Sequence, residues 1–507
     1  MTVLAVATGI QAAAGLAAAL AAACVLILPD PRRRTLAMPV ALLLAVVTIY
    51  TVADGQIRQQ ISGHAALAAA GVALALAGLA VLGYVFRRWP AAFVVAAVAT
   101  LAARIPLDIG GESASLLLPL YAVIAGGVVA RLSGRATVRA EAERRSTSLE
   151  RVLAAVVVLY GLQALYSTDV QAAAKDLAFF YVPFAVLLRL LLDAPWSRKL
   201  VLAVLWTVVG LALVFAVVGL YQYATRTTLL SNEKVLVANE LKPYFRVNSL
   251  FFDPNIYGRF LALAMVLLAA ALLWARERRT VIACAIGLAV LWAGLVPSLS
   301  ESSFAALAVG LAVLAGLRWS WRPVLAAAGG VIAIAVAVML IAPGAVGIST
   351  HSFDKLNRST SGRAQLIKGG LQMARDKPIG GSGSGSFAER YRKREHLLSP
   401  RSPAESHTIP VTVAAEQGAI GLIAYVALLV TSLGLVLRGV RRRGARAAVA
   451  AAYAALVLHT LVYAAFLEDP ITWALLAAAV ALRRDGVADP PPDDTPERRP
   501  RAAVAAA

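Results

Sequence analysis

The chain of 507 residues is short of charge, of cysteine and of acidic groups, and each shortage removes a class of protein. Only 15% of its residues are charged while 60% are hydrophobic, and the mean hydropathy of +0.75 is one that ordinary soluble domains do not approach. Its two cysteines, Cys24 and Cys284, both lie inside apolar runs, which argues against a disulfide framework or a thiolate metal cluster. There is no HExxH, no paired-cysteine spacing and no DxD among the longer loops, so nothing makes a case for a metal or another cofactor. Zinc-finger spacing and interleaved basic and aromatic residues are missing too, and the formal charge of +20 does not read as a nucleic-acid surface.

Long apolar runs are what the chain does have. VLWTVVGLALVFAVVGL (204–220) is one of many that recur from end to end, each long enough to cross about 30 Å of hydrocarbon as a helix. Segments of about ten residues alternating polar and apolar, as a membrane β-barrel requires, are not evident. The expected fold is all-α, a polytopic membrane protein of about 12–15 transmembrane helices with a large extracytoplasmic loop containing short helices. About fifteen spans are expected near 3–27, 33–50, 63–86, 89–103, 115–132, 149–167, 176–192, 200–221, 256–275, 280–297, 302–317, 323–343, 418–438, 447–466 and 469–483. The first has almost no charge before it and reads as a retained helix, not a cleaved leader.

Charge orients these spans. With the N-terminus outside, the basic clusters Arg32–Arg34, Arg87–Arg88, Arg131 to Arg145, Arg198–Lys199, Arg276 to Arg279, Arg318 to Arg322, Arg438 to Arg446 and Arg483–Arg484 all fall inside. The chain then divides into N-terminal helices (1–221), a first long outer loop (222–255), central helices (256–343), a large outer loop (344–417), C-terminal helices (418–484) and a Pro- and charge-rich inner tail (485–507) expected to be disordered. Residues 344–406 carry eleven Lys or Arg against five Asp or Glu, an excess of positive charge on the side where it does not set topology. A bound anion or contact with anionic lipid headgroups would account for it.

Three segments carry the candidate chemistry. In SGRAQLIKGGLQMARDKPIGGSGSGSF (361–387), Ala364, Leu366, Ile367, Leu371 and Met373 predict an amphipathic helix at the outer surface. The glycine-rich run after it is either a structural turn or a set of backbone amides lining an anion pocket; it lacks the Walker spacing. In ELKPYFRVNSLFFDPNIYGRF (240–260), Asp253-Pro254-Asn255 marks a helix start, Arg246 stands before it as a phosphate ligand, and Arg259 is placed to snorkel to the interface. In ESHTIPVTVAAEQGAIGL (405–422), His407 is a candidate base, and Glu416 could orient it, pair with an arginine or fix a bend before Gly418. Ser300, Glu301, Ser302, His459, Tyr463, Glu468 and Asp469 lie near outer span ends, where they could share a cavity with the loop arginines. Two arginines and a histidine facing outward suit a substrate with a phosphate at the surface and a hydrocarbon tail in the bilayer.

Arg246 with Phe252-Asp253-Pro254-Asn255, SGR at 361–363, DKPIGGSGSGSF at 376–387 and SHTIPVTVAAEQGAIGL at 406–422 resemble, in order and in placement on one side, the O-antigen ligase and polymerase superfamily. The resemblance covers roughly 240–475 and ends near His459 and Asp469–Pro470. It implies a multi-pass enzyme of a bacterial inner or plasma membrane, its active site on the extracytoplasmic side. Such an enzyme is a metal-independent, inverting glycosyltransferase whose donor is an undecaprenyl-pyrophosphate-linked glycan and whose acceptor is a glycan or glycolipid, with glycan-assembly machinery as a possible partner. A ligase transfers to a separate acceptor; a polymerase joins lipid-linked repeat units. By the same resemblance Arg246 and Arg363 bind pyrophosphate and His407 is the catalytic base or binds acceptor, with Asn255, Arg259, Glu416, Glu301, His459 and Asp469 in support. The chain departs from the family pattern at Thr408, where Asn is usual, and at Ser300-Glu301-Ser302-Ser303, where a Ser-Arg pair is usual. A lipid-linked glycan transporter is the alternative of a different class, and would be expected to show internal repeats; a scaffold in an export complex is a third.

Overall fold

A computed structural model describes residues 2–53, 65–109, 112–134, 146–229, 233–241, 244–341, 357, 362–396, 406–440, 443–463 and 465–483. The tail 485–507, Glu405 and much of the segment 342–361 lie outside the described residues.

Every expected span corresponds to a helical segment. The N-terminal half comprises α1 (Thr2–Ile27), α2 (Pro31–Val52), α3 (Ala65–Arg88), α4 (Pro90–Thr100), α5 (Leu118–Ser133), α6 (Ser148–Ala164), α7 (Val170–Asp176), α8 (Val182–Leu192) and α9 (Arg198–Thr225). After a short α10 (Glu233–Leu241) come α11 (Pro254–Trp274), α12 (Arg278–Leu295), α13 (Glu301–Arg318) and α14 (Trp321–Ile341). Two amphipathic helices, α15 (Arg363–Asp376) and α16 (Phe387–Arg394), precede α17 (Ile409–Leu437), α18 (Gly444–Val462) and α19 (Pro470–Ala481). Ten of these helices are long and apolar enough to cross a membrane, and shorter apolar helices supplement them. The protein is an all-α polytopic membrane protein. One element was not foreshadowed by the apolar pattern, an antiparallel hairpin of β1 (Ile105–Ile109) and β2 (Glu112–Leu116) that pairs Ile105 with Leu116.

The helices assemble in two groups. In the first, α1 packs on α2, α6 and α8; in the second, α11 packs on α12, α13 and α18. Helix α17 joins them by lying against both α6 and α18 while carrying α15 on its outer part. Two local irregularities shape what lies between the groups. Pro183 has no N–H for the carbonyl of Phe179, and the Tyr121 hydroxyl donates to that carbonyl instead at 2.8 Å; the chain passes from α7 to α8 through one π turn, Leu177–Tyr181. The second irregularity is in α17, which starts nine residues before the expected span and breaks at Gly418, whose φ of 64° is left-handed.

Helix α15 forms as the apolar spacing requires, but it packs on protein and does not lie free on a surface. Leu366 and Met373 sit in a small core with Phe387, Tyr391 and Ala415, whereas Leu371 is exposed. At the far end of α6, Arg189 is buried between Glu150, 2.9 Å away, and Asp193, which also takes Arg131 at 2.6 Å. Two acids there balance two arginines, so that end of the bundle has its charges matched internally.

Lys377 and Arg33 are both exposed and belong, by the charge rule, to opposite sides of the membrane. With Cys24 and Cys284 replaced by Ala, a membrane-impermeant maleimide applied to intact cells is expected to label Lys377→Cys and to reach Arg33→Cys only after permeabilisation. Labelling of Arg33→Cys alone would invert the topology.

Candidate functional site

The glycine-rich turn is the first piece of the site. Gly381, Gly383 and Gly385 all have positive φ, and a Cβ on Gly383 would stand 2.2 Å from the Ser167 Cα. The turn is wedged between the loop after α6 and the break in α17. Where Gly418 interrupts the helical ladder, the freed groups are taken up by neighbours: Ala419 N donates to Pro378 O, Ile420 N to Ile379 O, Gly383 N to Glu416 O and Gln163 Nε2 to Gln417 O. The Glu416 carboxylate accepts from the amides of Gly385 and Phe387, each at 2.9 Å. The anion held by this turn is therefore the chain's own, and Glu416 neither orients His407 nor pairs with an arginine. Ser382, Ser384 and Ser386 are buried, with Ser384 Oγ donating to Tyr160 O and Arg390 bonded to Ser382.

Around the start of α11 a second network forms. Asp253 caps the helix through Asn255 N, as the Asp-Pro-Asn sequence requires. Arg246 donates to Ser298 O at 3.0 Å and to Asn255 Oδ1 at 3.3 Å, and Asn239 brackets its backbone. Asn255 Oδ1 also accepts from Ser300 Oγ at 2.9 Å, and Ser302 Oγ lies 3.2 Å from His459 Nε2. All of Arg246's acceptors here are neutral oxygens. Glu301 is exposed at the first turn of α13 and takes no part in this network, since its neighbours Ser300, Ser302 and Ser303 occupy the buried face; a carboxylate there suits the helix dipole.

Tyr463 connects that network to His407. Its ring centroid lies 5.6 Å from that of His407 and 5.4 Å from that of His459. His407 itself adopts a φ of 58°, a left-handed conformation held just before α17. Arg363, at the first position of α15, acts electrostatically on His459, as does Arg259. Arg259 does not snorkel: it is 1% exposed and pairs with Asp469 at 2.6 Å, because Asp469 caps α19 directly opposite. The structure thus brings Arg246, Arg363, His407, Asn255, His459, Arg259 and Asp469 to one end of the bundle, and gives Glu416 a supporting place beneath them.

Beside this cluster a cavity of about 450 Å³ opens between the two helix groups, with Tyr463, Arg259 and Glu416 in its wall. Its other wall comes from the N-terminal half and includes Arg104, Tyr160, Asp176 and Tyr181. Tyr160 donates to Asp176 at 2.7 Å, Tyr181 to Glu468 at 3.0 Å, and the two rings stack at 4.4 Å. Burial lowers the Arg104 guanidinium from its ordinary range, with Asp469 opposing that shift; burial raises the Glu468 carboxyl. Sequence reasoning assigned the N-terminal helices no site residue. The available signal was Asp176, an ionisable side chain at the edge of an apolar run.

The structure is thus an all-α membrane body with a polar, arginine-rich cluster at one end and a cavity between its helix groups. Residues 286–426 match the family described as O-antigen ligase, so over that segment the chain is similar to the O-antigen ligase/polymerase superfamily. The match takes in Arg363, His407, Glu416 and the glycine-rich turn but stops short of Arg246 on one side and His459 on the other. No curated protein matches the chain.

Removing the Glu416 side chain leaves two buried amides without acceptors, a loss of about 1–3 kcal/mol each. Glu416→Ala is expected to lower the apparent melting temperature in detergent clearly more than Glu416→Gln, which keeps one acceptor. Gly383→Ala is expected to be as damaging, whereas Gly362→Ala, where a Cβ meets nothing within 4 Å, is expected to cost only the backbone strain of a side chain at φ 85°, about 1–2 kcal/mol.

Proposed function

We propose that the protein transfers a glycan from an undecaprenyl-pyrophosphate-linked donor to a hydroxyl of an acceptor glycan or lipid, on the extracytoplasmic side, without a metal and with inversion at the anomeric carbon. The observation that carries this reading is the grouping of Arg246 and Arg363, neither ion-paired among the described residues, with His407 at one end of the bundle. Guanidinium groups remain charged at any physiological pH and bind phosphate oxygens in pairs. At this site they serve as the counter-charge that a pyrophosphate needs.

In the reaction so read, the acceptor oxygen attacks the anomeric carbon from the face opposite the pyrophosphate. His407 takes the hydroxyl proton as the new C–O bond forms. The bond from the anomeric carbon to the phosphate oxygen breaks, its electron pair stays on the pyrophosphate, and Arg246 and Arg363 stabilise the charge that develops there. The Tyr463 ring packs against the imidazole, and His459 packs on Tyr463 in turn. The Asn255–Ser300 pair holds Arg246 in place, which gives Asn255 its supporting part. The basic excess of the outer loop fits the same reading, since it draws anionic substrate to this end. The transporter reading has less support, because the polar groups gather at one end and are not strung along a path through the bundle.

Purified protein in nanodiscs, given a lipid-pyrophosphate-linked oligosaccharide with and without acceptors, tests this by mass spectrometry. His407→Ala is expected to reduce transfer by about 10²–10⁴-fold, and Arg246→Ala and Arg363→Ala to abolish it or weaken donor binding. Longer lipid-linked product from donor alone identifies a polymerase; transfer only to a separate acceptor identifies a ligase. Donor that binds but is never transferred, and crosses proteoliposome membranes equally well in every variant, would replace transfer with transport.

A further inference from the structure

Two chemically different sets of groups meet at the 450 Å³ cavity. In one, Arg104 and Arg259 share a single carboxylate, Asp469, and Arg259 has taken it at 2.6 Å. Arg104 lines the cavity with no hydrogen bond or ion pair among the described residues, so no carboxylate is in contact with its charge. A largely desolvated cation without a counter-ion is costly unless a ligand supplies one. The second set is the Tyr160–Asp176 and Tyr181–Glu468 pairs in the cavity wall. With them is the Tyr425 hydroxyl, whose residue is 6% exposed and which has no hydrogen-bond partner among the described residues. Carboxyl groups and tyrosine hydroxyls accept and donate to sugar hydroxyls, aromatic rings cover the apolar faces of a sugar, and the volume is that of a small-ligand site.

We propose that this cavity seats a glycosyl phosphate, with its phosphate on Arg104 and its sugar ring between Asp176, Glu468 and Tyr425. The assignment rests on the transfer reading and deepens it: the cavity holds the sugar nearest the donor's pyrophosphate, and Arg104 reaches that anion from the N-terminal half while Arg363 and Arg246 reach it from the C-terminal half. The cavity wall also sets a selectivity. A sugar bearing its own carboxylate would bury a second negative charge where Arg104 is the one arginine of the wall without an ion pair among the described residues, so the unit seated here is neutral or amino-substituted.

Binding is the readout that separates this proposal from the chemistry. Full-length protein in nanodiscs is titrated calorimetrically with the 1-phosphates of glucose, galactose, N-acetylglucosamine, N-acetylgalactosamine and glucuronic acid, and with inorganic phosphate. At least one neutral sugar phosphate is expected to bind tenfold or more tightly than inorganic phosphate, and glucuronic acid 1-phosphate no better than inorganic phosphate. Arg104→Gln is expected to weaken the sugar phosphates at least tenfold, with partial recovery in Arg104→Lys. Asp176→Asn and Glu468→Gln are expected to erase most of the advantage over inorganic phosphate. Tyr425→Phe removes one hydroxyl and little else, and should weaken the sugar phosphate several-fold while leaving inorganic phosphate unchanged. Equal binding of inorganic phosphate and every sugar phosphate, or wild-type binding by both Arg104→Gln and Tyr425→Phe, overturns the proposal. Normal transfer by His407→Ala would sink the catalytic reading and leave these binding differences standing.

Discussion

Everything at the functional end of this protein depends on one docking, that of the glycine-rich turn into the broken helix α17. A helix inside a membrane cannot leave backbone groups unsatisfied. The break at Gly418 is possible only because residues 378–383 and Gln163 supply the missing donors and acceptors. Glu416 completes the joint by placing a carboxylate on two amides of the turn. The joint aligns three parts of the chain that are distant in sequence: the loop after α6, the turn itself, and the outer part of α17 that follows His407. It also explains three glycines at positive φ, since a side chain on any of them would collide with the partner that holds the turn.

Charge is distributed over the bundle in a way that separates structure from function. Around Arg189 the arginines and acids balance one another and are fully engaged. At the opposite end Arg259 is matched by Asp469, whereas Arg104, Arg246 and Arg363 have no carboxylate within ion-pair distance among the described residues. Surplus buried or half-buried cations are expensive to maintain. Their gathering beside a cavity, next to a histidine held in a left-handed conformation, is the arrangement expected of a site whose counter-charge arrives with the substrate.

Much of this was legible in the order of residues. Hydropathy located the long apolar helices, because lipid demands about twenty apolar residues at a time, and Asp-Pro-Asn at 253–255 announced the start of α11. The polar residues gathered at one end were also legible, since His407, Arg246 and Arg363 stand out against apolar surroundings. Elsewhere the structure chose among readings or departed from them. Of the three open for Glu416, fixing the bend before Gly418 is the one its two amide bonds fit; Arg259 is buried against Asp469 and does not reach an interface; Glu301 faces outward while its serine neighbours turn in. In each case the side chain has several chemically reasonable partners, and sequence distance does not say which of them is near.

The sequence by itself determined that this is a helical membrane protein, where its apolar helices lie, and that the segment 344–406 carries an excess of basic residues, because those properties follow from local composition and period. Only the tertiary structure decided that the N-terminal helices supply a wall of the cavity, through Arg104, Asp176 and the stacked Tyr160 and Tyr181. Those residues have no motif to mark them. Their role comes from packing across more than two hundred residues of chain against α17, and contacts of that range are written in complementary shape and charge, not in spacing.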